Sequence, residues 1–230
     1  MSPINISPLR PKLLSCRLIE AVDASLAHAL QLTFPRHVSL GLVTCDQDDA
    51  LYAALDHATK FAEVDVVYAK SFYAGAAHAS GPLSGECLGI LAGKHPDDVS
   101  EGLWALRSLL LGSCCFYSLA GAREPAFFPH VIPETGRYLA PLAGIKVGEP
   151  LAYLIAPPVE SVVGIDAALK AANVRLCHWF GPPTETNFGG AYLTGSLPDV
   201  EAAKDAFIAA IAEVVHAPHK AMRRPSHERF

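Results

Sequence analysis

Residues 70–86, KSFYAGAAHASGPLSGE, set His78, Ser80, Ser84 and Glu86 among glycines between two apolar runs. A hydroxyl near a histidine could serve acyl transfer, and a glycine-rich turn could cradle a phosphate. Neither chemistry is completed. GPLSGE places Ser84 one position too late for a G-x-S-x-G nucleophile turn, and nothing supplies an acid that would orient His78 behind Ser80. GILAGKH has one residue too few between its glycines and ends on His95 where a magnesium-binding hydroxyl is required, so it reads as a strand-to-helix turn. Asp46, Asp48 and Asp49 suggest the start of a calcium loop, yet Leu51 stands where glycine is needed and His57 where glutamate is needed. Helix capping is the simpler role for these aspartates, with spare carboxylates able to face a small cation. His216 and His219 make a poor metal pair in a basic tail. No catalytic constellation, metal centre or cofactor is expected.

The surrounding elements have plain signals. LLSCRLIEAV and HVSLGLVTC read as strands, and CDQDD opens a helix to Phe61 with Leu51, Leu55, Ala58 and Phe61 at helical spacing. VDVVYA and ECLGILAG are further strands. Pro96-Asp97-Asp98 starts a helix with Val99, Leu103, Leu106 and Leu110 on one face, closed by Gly112. The second half repeats this order through LAYLIA, a helix from PPVE, VRLCHWF, GGAYLTG and PDVEAAKDAFIAAIAEVV. Letters repeat as well: Asp56, Lys60, Ala62 and Val64 of DHATKFAEV match Asp166, Lys170, Ala172 and Val174 of DAALKAANV. One domain has been duplicated. The glycine-rich stretch at 70–86 and FGPPTETNFGGA at 180–191 therefore fall between equivalent strands.

Composition narrows the function class. In 230 residues, 51% are hydrophobic and only 18% charged, which calls for more burial than a lone soluble monomer provides. No apolar run is long enough to span a membrane, and MSPINISPLRPK lacks the apolar stretch of a signal peptide. A net charge of −5 argues against nucleic acid as a partner, despite the basic tail HKAMRRPSHERF, which is expected to be peripheral. Six cysteines without CxxC spacing read as reduced and mostly buried. Phe116, Trp104 and Trp179 read as packing residues, since no basic patch accompanies them.

The strings DQDDALYAALDHATKFAEVDVVYAKSFYAGAAHASG, GECLGILAG, AYLIAPPVESVVGIDAALKAANV and PPTETNFGGAYLTGS resemble the EutL-type shell proteins of bacterial microcompartments, from Leu14 to Val215. The resemblance implies an α/β (α+β) fold of two tandem, circularly permuted microcompartment domains, 1–112 and 113–230. Each would be an antiparallel sheet flanked by helices. It implies a homotrimer forming a pseudo-hexagonal disc that tiles with other shell proteins around encapsulated enzymes, in the bacterial cytoplasm, with no activity of its own.

The two loops, 71–85 and 180–190, would surround a central pore and gate it through Tyr73, Gly75, His78, Ser80, Gly81, Gly85, Thr184, Glu185, Thr186 and Asn187. A small amino alcohol would bind off the axis near Asp48, Asp49, Glu86, Phe116 and Thr184, where carboxylates beside an aromatic ring suit an organic ammonium. Core packing is the plainer role for Phe116. A soluble ligand sensor of duplicated ferredoxin-like form is the alternative function.

Overall fold

The computed structural model describes residues 5–71, 87–119, 125–181 and 188–219. In chain order these form β1 (Ile6–Leu9), β2 (Leu13–Ile19), α1 (Ala24–Ala29), β3 (Ser39–Cys45), α2 (Asp48–Phe61), β4 (Val64–Lys70), β5 (Cys87–Gly93) and α3 (Pro96–Leu111). There follow β6 (Phe116–Leu119), β7 (Ala126–Ile132), α4 (Leu139–Ala143), β8 (Leu151–Ala156), α5 (Pro158–Ala171), β9 (Arg175–Phe180), β10 (Gly189–Thr194) and α6 (Leu197–His216).

Both sheets are antiparallel. The first has the order β2-β3-β5-β4, and the second contains β7-β8-β10-β9 in the same relative order with β1 and β6 added beyond β7. The duplication in the letters is thus also a duplication of topology. Period-two alternation assigns the faces. In β8, Ala152, Leu154 and Ala156 face a core shared with Ile165 of α5 and Phe207 of α6. Leu151, Tyr153 and Ile155 face the other way and join the α2 and α3 residues Leu51, Leu55, Val99 and Leu106 in one cluster. The second sheet is therefore covered on both faces, once by its own helices and once by the first copy.

Glycine sets how closely some layers approach. A Cβ on Gly190 of β10 would lie 1.9 Å from the carbonyl oxygen of Leu154, and one on Gly164 of α5 would lie 2.6 Å from the Phe207 ring. The helices α5 and α6 cross at that missing side chain. Gly164→Val is expected to cost about 1–3 kcal/mol through overpacking, read as a fall in the urea midpoint at unchanged slope; an unchanged midpoint would mean the helices can separate without loss.

The cap at α2 departs from expectation. Gln47 occupies the N-cap without a side-chain cap, and Asp48 and Asp49 fall in the first helical turn. Asp46 instead accepts from the Lys12 backbone N–H at 2.7 Å, holding β2 to the helix entrance. Strand β7, AFFPHVI, escapes a pattern reading because of Pro129. The proline is tolerated because β6 pairs β7 only at Phe127 and Ala126, so Pro129 lies beyond the reach of that neighbour. Trp104 is 68% exposed and so is not the packing residue expected; Phe116, at 7%, is.

Candidate functional site

Besides Asp46, the Gln47 side chain fastens the entrance of α2. Gln47 donates to the Leu9 carbonyl at 2.7 Å and accepts from the Phe116 N–H at 3.2 Å, which brings β1 and β6 against the first turn. That turn holds Asp48 and Asp49. Asp48 accepts from the Asp49 backbone N–H at 2.9 Å, while the Asp49 carboxyl turns inward and accepts from the Tyr153 hydroxyl on β8.

Around this pair lies a continuous aromatic shell. Tyr153 meets Tyr192 edge-on at 4.6 Å between centroids and Phe128 at 5.3 Å. Phe116 reaches Phe128 at 5.2 Å and Phe188 at 5.8 Å. A carboxyl in such surroundings resists ionisation. Burial pushes the Asp49 pKa well above the usual carboxylate range, the neighbouring Asp48 raises it further, and only the Tyr153 hydrogen bond opposes the shift. Burial likewise raises Tyr153, with Asp49 adding to it. An acid so placed would regain its charge most readily beside a cation.

Asp48, Asp49 and Phe116 are thus drawn together. Glu86 and Thr184 lie outside the described residues, as do Tyr73, Gly75, His78, Ser80, Gly81, Gly85, Glu185, Thr186 and Asn187. The residues that sequence reasoning missed are Tyr153 and Gln47. A tyrosine inside the otherwise apolar strand LAYLIA was the available signal, because a buried hydroxyl needs a partner. Among the described residues no group of histidine, cysteine or carboxylate side chains could hold a metal ion, and the six cysteines are free thiols.

No family model matches the chain, but individual relatives do. The bacterial microcompartment shell protein EutL of Clostridium perfringens is 50% identical over 210 residues, covering 91% of this chain and 96% of that protein. The chain belongs to the EutL family of bacterial microcompartment shell proteins. A crystal structure of EutL from Clostridium perfringens superposes with a TM-score of 0.89 at 49% identity, covering 93% of this chain and 97% of that one. The ethanolamine utilization protein EutL from Leptotrichia buccalis gives a TM-score of 0.89 at 48% identity, with 94% and 99% covered. As an EutL-family member the chain is a structural component of the microcompartment shell rather than an enzyme. The ligand-sensor alternative is left without support.

Proposed function

We propose that three copies close a pseudo-hexagonal disc, each contributing the two domains 1–112 and 113–230, and that the disc tiles the shell with other shell proteins around enclosed enzymes. One observation carries this reading. Inside the chain, α2 covers the outer face of the second sheet, yet the equivalent surfaces of the other pairing are only partly covered, the first sheet's by the segment around α1. On α5 the outward Val159, Val162 and Val163 are 61%, 50% and 41% exposed, and on the first sheet Leu42, Tyr68 and Leu88 remain half-buried. Thr44, on that same outer face, holds an unpartnered buried hydroxyl. Repeating the internal contact between chains would pair these surfaces, and after three chains the ring closes. Solution mass at micromolar concentration is expected to be that of a trimer; a stable monomer or dimer overturns the disc.

The loops 71–85 and 180–190 would then meet near the threefold axis as a gated pore for metabolites. Their support is the repeat itself, since they join β4 to β5 and β9 to β10 at equivalent places. The gate is tested by structures determined with and without ligand, and one invariant loop arrangement in every condition would remove it.

A site for a small amino alcohol is assigned to Asp48, Asp49 and Phe116, together with Glu86 and Thr184, which lie outside the described residues. An ethanolamine pathway is the natural enclosed chemistry, given the name of the Leptotrichia relative. Asp49 makes the assignment pH-dependent. Its pKa is raised in the folded protein, so an ammonium is expected to bind more tightly as pH rises through that value and the carboxyl ionises. Protein stability runs the other way: the folded state holds the proton longer than the unfolded one, so stability falls as pH rises from the unfolded value to the folded one. Asp49→Asn is expected to flatten both slopes and to weaken ethanolamine binding by about tenfold or more, followed by calorimetry across pH. Unchanged binding in that variant would remove Asp49 from the site.

A further inference from the structure

In the second copy a short strand, β6, extends the sheet beyond β7 on the side covered by α6. Tyr117 and Leu119 of β6 point into the core that contains Phe207 and Ile211 of α6, and Ser118 pairs with Ala126 of β7. The corresponding position in the first copy, beyond β2 and beside α3, holds no such strand among the described residues, and β2 is the edge of its sheet. What remains is a groove of about 300 Å³ lined by Cys16 and Arg17 of β2 and by Leu103, Trp104 and Arg107 of α3. Trp104 stands 68% exposed over it, with the Arg107 guanidinium 5.6 Å from its ring.

We propose that this edge is a docking site for an extended segment of another protein, which adds as a strand to β2, sets alternate apolar side chains against Leu103 and Trp104, and carries acidic residues beside them. Three features define that partner. An edge strand leaves backbone N–H and C=O groups unpaired, so an extended peptide is the form that satisfies them. The filled counterpart shows the side-chain spacing the space accepts, two large residues separated by one. The groove lining includes two arginines and no carboxylate, which selects an acidic segment. The chain's own tail, HKAMRRPSHERF, would set its arginines against Arg17 and Arg107. The site is independent of how the pore works.

The probe is a fluorescein-labelled, amidated peptide EFYSLE, which is the β6 sequence flanked by glutamates, titrated into the full-length protein. Saturable binding of one peptide per chain is expected, with new protection of the Leu13–Ile19 amides against hydrogen exchange. Trp104→Ala, at an exposed position, is expected to weaken binding at least about tenfold, and so is the pair Arg17→Glu with Arg107→Glu. KFYSLK is expected to bind more weakly than EFYSLE. The proposal falls if EFYSLE fails to saturate, or if Trp104→Ala leaves its affinity unchanged. It falls equally if the β2 amides are already protected without peptide and lose that protection on dilution, which would give the edge to a second copy of this chain.

Discussion

Asp56→Ala is expected to lose about 3–5 kcal/mol of unfolding free energy, while Asp166→Ala at the matching position of the repeat stays within about 0.5 kcal/mol of the parent. The two aspartates occupy the same letter of the duplicated motif and do different work. Asp56 is fully buried and accepts from the backbone N–H groups of Gly136, Tyr138 and Leu139 at 2.6, 3.1 and 2.7 Å. Those bonds tie the first copy to the segment that leads into α4. Nearby, Lys60 donates to the Glu134 carbonyl at 2.9 Å and Thr59 accepts from the Arg137 N–H at the same distance. Truncation at Asp56 would leave three donors desolvated and unpaired, which costs far more than the bonds themselves are worth in water. Burial raises the Asp56 pKa even against these donors, so an alanine also removes a desolvation cost that partly offsets the lost bonds. Asp166, in contrast, pairs among the described residues with Lys170 one turn away, both side chains being more than half exposed. A pair of that kind contributes little. Urea unfolding of both variants decides the matter: equal losses would mean that the segment before α4 does not depend on Asp56.

Placing Val162→Asp and Val163→Asp together on α5 is expected to convert the proposed trimer to monomer, lowering the association constant at each interface by about a hundredfold or more. These valines are 50% and 41% exposed in the isolated chain, so their replacement leaves the monomer's own core intact. By the repeat they correspond to Tyr52 and Ala53 of α2, which pack in the shared core between the copies. Each interface would then bury two carboxylates against half-buried apolar residues of the first sheet with no cation provided for them. Sedimentation measures the mass, and thermal melting checks that the monomer remains folded. A folded trimer would place the subunit contact on some other surface.

Much of this arrangement is legible in the sequence. The strands and helices of both copies follow from local periodicity, and Pro96 and Gly112 delimit α3 where the letters put them. The absence of completed catalytic motifs was likewise a local matter of spacing. The first strand of each copy was harder to read. Strands β1 and β6 have four residues each, too few for a period, and they exist because they pair with each other and β6 with β7.

By itself, then, the sequence determined the duplication, the order of elements and the lack of built-in chemistry, since each is written within a few residues or in repeated strings. Only the tertiary structure decided which copies of a repeated residue are buried. Asp49 faces Tyr153 while its counterpart Val159 is 61% exposed, and Asp56 closes a buried joint while Asp166 stays at the surface. The physical reason is that burial, and with it the pKa of an acid or the worth of a hydrogen bond, belongs to the surface packed opposite. For α2 that surface is a sheet about a hundred residues away in the chain, and no local pattern states which of two similar helices will receive it.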